Sequence, residues 1–430
     1  MPAAGSQKRI KFKWHTGSFS NGTEDDARIH YLVHLAGGNS QDDFQMANFT
    51  VDVEDTGPRI QIETGTKEKP QVWHVILDTG SIVPWVGGKT QKYVARATPQ
   101  TCDFAGKKLK LKYGKGSQTV HLVNDRLVVG KDNNLEIPSQ TIGHTGSEPP
   151  DYEWKVDGFL GIGPRAMVKA TTEKQFPPNG LNIIPFYDHY FQINSIQPES
   201  HKMSVYLPLA GNEEGFFTLG EVQQYDPANA MEGAPTAAMH WIAQTKADHA
   251  KRYYGFDTKI FVGKPAETNA EKLTPICHQN TDVQPEIVAI TDTGTTRILL
   301  DEDLFHDYTS KVAPKCITKH PGTSYYRIKR ENIPKMESVF FQIHDIKNNK
   351  SELLEFVPNA QFLPDAVAEK IEDYDKSFKY LVFRPVELAG KVKNLGCILG
   401  YYALARYYWA VDFGTGSQGF APTDHTHSQI

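Results

Sequence analysis

The 430-residue chain has few cysteines and no long apolar run, and both absences exclude classes of protein. Its four cysteines lie far apart, at Cys102, Cys277, Cys316 and Cys397, and no C-x-x-C or H-E-x-x-H pattern occurs. We therefore expect no metal site, and at most two disulfides, too few to staple a chain of this size. No apolar run approaches the roughly 20 residues that a membrane-spanning helix needs.

The charge balance excludes further classes of partner. The formal net charge is −5, so neither nucleic acid nor an anionic membrane is an expected partner. Hydrophobic residues make up 39% of the chain and charged residues 23%, which is typical of a globular protein. The first residues, "MPAAGSQKRIKFKWHTG", lack the apolar core of a secretory signal.

Many short runs of β-branched and aromatic residues alternate with Gly, Pro, Asn and Asp, which predicts an all-β protein with few short helices. The apolar spacing predicts helices only at 301–313 and 182–193. The charged, proline-containing stretches 264–286 and 307–325 are predicted to be surface insertions.

An internal repeat carries the strongest functional signal. "HVILDTGSIVPWVGG" (74–88) runs an apolar strand into Asp78, and "IVAITDTGTTRILL" (287–300) does the same with Asp292. Each copy is followed much later by an apolar pair and a glycine, in "DGFLGIG" and "GCILGYY". Two similar halves would each bring one acid to a cleft at their common boundary.

A buried, unpaired carboxylate is costly, whereas two carboxylates at close range can share one proton. One group is then a base that can take a proton from water, and the other is an acid that can polarise a carbonyl. The neighbouring residues suit this chemistry, because their hydroxyls and backbone amides can orient the carboxylates. These support residues are Thr79, Gly80 and Ser81 in the first copy and Thr293, Gly294 and Thr295 in the second.

These patterns resemble the pepsin family of aspartic peptidases over residues 58–422, in order. "LKYGKGSQTV" is similar to the flap, a β-hairpin that covers the cleft in that family. The resemblance implies a bilobal fold with two related β lobes and a central cleft. It also implies flap and substrate-binding roles for Tyr113, Gly114, Lys115, Trp85 and Thr296.

The resemblance further implies an aspartic endopeptidase that cleaves polypeptides near hydrophobic residues without metal or cofactor. We expect a monomer that is secreted or resides in a vacuolar or endolysosomal compartment. The alternative is a catalytically silent binding or inhibitor protein with the same fold. The expected divisions are an N-terminal extension (1–50), a first lobe (51–225) and a second lobe (226–430). The extension is either a prosegment, or a flexible tail or extra edge strands, and the sequence leaves these possibilities open.

Three positions depart from the family pattern, and two other stretches match known motifs without their structural context. Ile82 replaces a small polar residue, Lys115 places a charge near the flap tip, and Tyr401 stands where many members have an aspartate. By family tendency, Tyr401 predicts a pH optimum less acidic than that of gastric pepsins. A third D-T-G, at Asp55, lacks the apolar approach and is predicted to be a surface turn. "GTGSQG" (414–419) matches a dinucleotide pattern, but no helix follows it, so we expect no cofactor there.

Overall fold

A computed structural model describes the parts of the chain that position the repeat. The described residues are 8–15, 57–87, 93, 107–113, 116–130, 135–145, 157–178, 180–209, 214–220, 222–225, 234–247, 250–278, 284–386 and 394–428. They form mostly strands with few short helices, which confirms the predicted all-β class. Among them, no helix is long and apolar enough to cross a membrane.

The strands run through the whole described chain. The first half contains β1 (Lys8–His15), β2 (Gly57–Gly65), β3 (Pro70–Asp78), β4 (Trp85–Val86), β5 (Lys108–Tyr113), β6 (Gly116–Val129), β7 (Leu135–His144), β8 (Gly158–Gly161), β9 (Lys202–Tyr206) and β10 (Glu214–Gly220). The second half contains β11 (His240–Ile242), β12 (Tyr254–Gly263), β13 (Thr274–Pro275), β14 (Ile287–Thr291), β15 (Ile298–Asp301), β16 (Ile317–Lys319), β17 (Tyr326–Lys329), β18 (Ser338–Asp345), β19 (Lys350–Phe356), β20 (Phe378–Tyr380), β21 (Phe383–Val386), β22 (Leu395–Leu399), β23 (Tyr407–Asp412) and β24 (Gln418–Pro422).

Within the described ranges, five short α-helices accompany the strands: α1 (Ala166–Thr172), α2 (Phe186–Ile193), α3 (Glu302–Val312), α4 (Asp365–Ala368) and α5 (Tyr401–Leu404). Short 3₁₀ helices lie at Pro198–Ser200, Ala250–Arg252, Ala270–Lys272, Arg330–Lys335 and Pro358–Gln361.

The repeat in the sequence is also a repeat in topology. β3 lies parallel to β8, with Ile76 opposite Phe159, and β14 lies parallel to β22, with Ile290 opposite Ile398. β4 then returns antiparallel to β8, as β15 returns antiparallel to β22. Each half therefore places a D-T-G turn beside the strand that ends in an apolar pair and glycine.

An antiparallel sheet joins the halves in the order β1–β10–β9–β23–β24–β11. The central pair, β9 and β23, brings one strand from each half, with Trp409 opposite Val205. β1 lies in the N-terminal extension and pairs with both β10 and β2. An extra strand was one of the possibilities left open for this extension, and at Lys8–His15 the backbone is a strand. That pairing is equally compatible with a removable segment.

Burial along β3 explains why the strand ends at an acid. Exposed and buried residues alternate from Pro70 to His74, as in a half-buried strand, and the last four residues, 75–78, are all buried. The strand thus passes from the surface into the core and delivers the Asp78 side chain to the interior.

The two helix predictions are confirmed in position, with one shift in start. α3 lies within 301–313, and Asp301 caps it by accepting a hydrogen bond from the backbone amide of Asp303. α2 begins only at Phe186, because Pro185 before it is extended and its ring disfavours helical dihedrals in the residue that precedes it.

The prediction of surface insertions was wrong for much of 307–325 and correct only in part for 264–286, where residues 264–272 are exposed or half-buried. Residues up to Val312 continue α3 and bury Tyr308, and Tyr325 is buried as well. In the other stretch, β13 pairs with β12 and Cys277 is buried, while 279–283 lie outside the described residues. The charged residues that suggested loops occupy the outer face of elements whose inner face is apolar.

Candidate active site

The two repeated aspartates lie at equivalent strand ends and are fully buried. Asp78 is the last residue of β3, and its carbonyl accepts a hydrogen bond from the Ile162 amide at 2.8 Å. Asp292 directly follows β14, and its amide donates to the Leu399 carbonyl at 3.0 Å. The segment that carries each apolar pair and its glycine therefore fixes the backbone of each acid.

Each carboxylate is held by one backbone amide and one hydroxyl. The Gly80 amide donates to Asp78 Oδ1 at 2.9 Å, and the Gly294 amide donates to Asp292 Oδ1 at 3.1 Å. Ser81 Oγ donates to Asp78 Oδ2 at 2.5 Å, and Thr295 Oγ1 donates to Asp292 Oδ2 at 2.7 Å. Both carboxylates thus have the same set of donors, which fixes the plane of each group.

The threonines of the two D-T-G turns bond across the boundary between the halves. The Thr79 amide donates to Thr293 Oγ1 at 3.0 Å, and the Thr293 amide donates to Thr79 Oγ1 at 2.9 Å. Each hydroxyl then donates to the opposite half, to the Thr291 carbonyl at 3.3 Å and the Leu77 carbonyl at 2.7 Å. This reciprocal set brings the two D-T-G turns together.

Two glycines let the backbone that follows each D-T-G turn pass close to the segment that carries the apolar pair of the same half, a role that the sequence analysis did not assign. A Cβ on Gly161 would lie 2.6 Å from the Ile82 backbone, and one on Gly400 would lie 2.1 Å from the Arg297 carbonyl oxygen. Both distances are too short for any other residue. The signal was present in the sequence, because both glycines end the repeated apolar pair.

The predicted substrate-binding residues are only partly described. Trp85 is buried in the first half, with its ring centroid 5.5 Å from that of Phe159. Thr296 is also buried, and its carbonyl accepts from the Tyr402 amide at 3.1 Å. Tyr113 ends β5, but its side chain, together with Gly114 and Lys115, lies outside what the structure describes. Their flap roles stay predictions.

The departures from the family pattern have structural explanations. Ile82 is buried in the core, so the apolar replacement is accommodated. Tyr401 is also buried; its amide donates to the Thr295 carbonyl at 2.6 Å, and its hydroxyl donates to the carbonyl of Pro208 in the first half. A tyrosine at this position therefore connects the second active turn to the first half. The third D-T-G, at Asp55, lies outside the described residues.

A buried cation beside the second turn was also missed. Arg297 follows Thr296 and is 4% exposed, with its guanidinium 3.8 Å from the centroid of the Tyr325 ring. An arginine stays protonated in proteins, and such a stack is favourable when it is desolvated. Burial raises the pKa of the nearby Tyr402 hydroxyl well above 10, and Arg297 acts in the opposite direction. The signal in the sequence was one charge within the apolar run "RILL".

Among the described residues, one group has the composition of a metal site: His278, Asp301 and Asp303, with donor atoms within 4.8 Å of one another. It lies at the start of α3, where Asp301 already caps the helix, and it includes neither dyad candidate. The "GTGSQG" stretch forms a turn in which Asp412 Oδ1 accepts from the Gly414 amide at 2.9 Å. β24 follows, so this stretch has no helix N-terminus to bind a phosphate.

The described cysteines, Cys277, Cys316 and Cys397, form no disulfide, and Cys102 lies outside the described residues. Burial raises the pKa of the Cys397 thiol well above its usual value of 9.0, which keeps it protonated and unreactive.

Comparisons with known proteins agree with this geometry. The family model described as eukaryotic aspartyl protease matches residues 59–423. Polyporopepsin from Irpex lacteus is 24% identical over 367 residues, which covers 85% of this chain and 94% of the relative. The crystal structure of an aspartic proteinase from Irpex lacteus superposes with a TM-score of 0.69 at 24% identity, and the match covers 86% of this chain and 96% of that one. The family match spans most of the chain and includes both D-T-G turns, so this protein belongs to the eukaryotic aspartyl protease family.

Proposed function

We propose that Asp78 and Asp292 form the catalytic dyad of this aspartic endopeptidase. The observation that supports this most directly is the reciprocal Thr79–Thr293 hydrogen bonding between the two turns. It joins two buried aspartates with matching donor sets, one from each half of the chain.

In the proposed reaction, the two carboxylates share one proton, an arrangement established for aspartic proteases. The ionised member takes a proton from a water molecule, whose oxygen attacks the carbonyl carbon of the scissile peptide. The protonated member donates its proton to the carbonyl oxygen, giving a tetrahedral gem-diol. Collapse of that diol breaks the C–N bond as the nitrogen takes up a proton, and one carboxylate–carboxylic acid pair is regenerated.

The remaining residues have supporting roles in this proposal. Gly80, Ser81, Gly294 and Thr295 orient the carboxylates through the hydrogen bonds described above. The β5–β6 hairpin, which we call the flap, would cover a polypeptide substrate through Tyr113, Gly114 and Lys115, as in the family. Trp85 and Thr296 would then line or support the cleft.

The alternative of a silent binding or inhibitor protein is less well supported. Loss of catalysis in this fold is expected to accompany a damaged D-T-G turn. Here both turns keep the aspartate, the glycine amide and the hydroxyl donor, with hydrogen bonds of 2.5–3.1 Å to the carboxylates. The intact pair favours an enzyme.

The organisation of the chain and its location are also proposals. We propose two lobes at 51–225 and 226–430, preceded by an extension at 1–50, in a monomer that acts on polypeptides. Secretion or vacuolar targeting is typical of the family. N-terminal sequencing of the protein isolated from its source would show whether the extension, with β1, is removed.

The central experiment is a fluorogenic peptide-library assay between pH 3 and 7, with and without a hydroxyl-containing transition-state mimic. We expect cleavage near hydrophobic residues that the mimic blocks. The absence of inhibitor-sensitive cleavage at every pH, both for the full chain and after removal of the extension, would exclude the enzyme.

A further inference from the structure

In the described part of the chain, a glutamine side chain binds the outer edge of β5, the first strand of the flap. In the described part of the chain, β5 pairs with β6 alone. In the middle of β5, the Lys110 amide donates to Gln175 Oε1 at 2.7 Å, and Gln175 Nε2 donates to the Lys110 carbonyl at 2.8 Å. One side-chain amide thus satisfies both backbone groups that a neighbouring strand would bind.

The turn that carries Gln175 is firmly held. It follows α1, whose last residue, Thr172, is fully buried. Thr172 Oγ1 donates to the Val168 carbonyl and accepts from the Leu181 amide, both at 2.9 Å. The Thr172 carbonyl accepts from the Phe176 amide, also at 2.9 Å. Gln175 therefore binds the flap strand from a fixed base.

The contact lies where a tether would control the flap tip. Lys110 is three residues before Tyr113, where β5 ends, and β6 begins at Gly116. Leu109 and Leu111, on either side of Lys110, are buried and fix the inner face of the strand. Beyond Lys110, the described strand pairs only with β6, so Gln175 is the last described hydrogen-bonding support on the outer edge of β5 before the tip.

We infer that Gln175 is a positioning residue that tethers the flap and thereby sets the affinity for polypeptide substrates. This inference rests on the proposed function. An untethered strand samples more conformations, and a substrate that needs an ordered flap must then supply the cost of ordering it. Gln175 touches neither the dyad nor its support residues, so its loss should raise KM and leave kcat nearly unchanged.

The first test removes the tether with Gln175→Ala. We expect KM to rise about three- to tenfold, with kcat within about twofold, because two modest hydrogen bonds are lost. Hydrogen exchange of the Lys110 amide should accelerate by about tenfold at the same time. Gln192→Ala removes another exposed glutamine, on α2, and should change neither quantity.

The second test makes the tether depend on pH with Gln175→Glu. A protonated glutamic acid offers one donor and one acceptor, as the amide does, whereas the carboxylate has no donor for the Lys110 carbonyl. Relative to wild type at each pH, KM should be close to unchanged near pH 3 and raised near pH 6, to the level of Gln175→Ala. Gln192→Glu adds the same charge away from the flap and should show no such crossover.

The outcomes separate this inference from the proposed function. Unchanged KM in Gln175→Ala would overturn the inference, whether or not exchange at Lys110 accelerates. A Gln175→Glu variant whose KM ratio to wild type is constant with pH would overturn it as well. If the wild type cleaves no peptide, the proposed function fails, and unchanged exchange at Lys110 would then show separately that no tether exists.

Discussion

The two D-T-G turns have matching hydrogen bonds to their carboxylates and different surroundings. Five residues after Asp78 stands Val83, which is apolar and buried, and five residues after Asp292 stands Arg297, which is equally hidden from solvent. The donors to the carboxylates are nonetheless a glycine amide and a hydroxyl in both turns. The repeat therefore keeps the groups that touch the acids and allows the next layer to diverge.

The contacts that join the halves are likewise at equivalent positions but made by different groups. After the first glycine, the Ile162 carbonyl accepts from the Tyr254 hydroxyl of the second half at 2.7 Å. After the second glycine, the Tyr401 hydroxyl donates to the Pro208 carbonyl of the first half. Both hydrogen bonds are thus donated by a tyrosine of the second half to a carbonyl of the first half. The residue after the glycine accepts through its carbonyl in the first half and donates through its side chain in the second half.

The largest expected effect comes from removing either acid. Asp78→Asn and Asp292→Asn should each lower kcat by at least about 10³-fold, because an amide cannot share the proton. The two losses should be similar, and the melting temperature should stay constant or rise. Asp55→Asn, in the third D-T-G, should keep full activity. Near-normal activity in either dyad variant would refute the assigned roles.

Breaking the reciprocal threonine bonds should come next. Thr79→Val or Thr293→Val leaves a buried amide in the opposite turn without its acceptor, at a cost of about 1–3 kcal/mol in the free energy of unfolding. Urea denaturation measures this loss. The Thr→Ser variants keep the hydroxyl and should lose much less. A strongly unequal loss in the two valine variants would show that the pairing is not symmetric.

Acid should lower the stability of the first half through His144. This histidine pairs with Val86 of β4, and the equivalent partner in the second half, opposite Leu300 of β15, is Pro385, which does not titrate. Burial and the neighbouring His121 lower the pKa of His144 to about 4, below its usual 6.5. The unfolded chain therefore binds more protons between these two pH values, so stability falls as the pH drops through that window.

Replacing this histidine should remove part of the acid sensitivity. In the wild type, the His144 ring stacks on Tyr93, with the ring centroids 4.5 Å apart, and on His121. His144→Phe keeps a ring at this position. Between pH 6.5 and 4, the variant should lose about 1–2 kcal/mol less stability than the wild type, allowing for partial exposure. Parallel stability curves for the two proteins would contradict the assignment.

Loss of the tyrosine hydroxyls that join the halves should be milder. Tyr254→Phe and Tyr401→Phe each remove one donor and should each cost about 1 kcal/mol of unfolding free energy. Because the two contacts are at equivalent positions, we expect similar values, measured by urea denaturation. A cost near zero in one variant alone would show that the halves are joined unequally.

The smallest expected effect concerns the buried cation. Arg297→Val copies the first half and removes a positive charge near the second turn, which makes loss of the shared proton less favourable. The acidic limb of the kcat/KM profile should move to higher pH by a few tenths of a unit. Arg297→Lys keeps the charge and should keep the limb in place. A shift in the opposite direction would show that Arg297 does not act through its charge.

The sequence by itself determined the all-β class, the repeat and the two acids. These depend on local patterns: the period of short strands, the apolar approach to Asp78 and Asp292, and the order of flanking stretches. It failed at 307–325, where exposed charges indicated a loop but the inner face of α3 packs on the core. Charged residues in a stretch show that one face of the element is exposed, but whether the other face is buried depends on what packs against it.

Only the tertiary structure decided which groups meet across the chain. The Thr79–Thr293 pair is separated by 214 residues, and the Tyr401–Pro208 contact by 193. The burial of Arg297 against Tyr325 and the closure of β5 by Gln175 likewise join segments that no local pattern relates. Such contacts arise from the packing of the whole chain, which fixes distances that neither propensity nor spacing encodes.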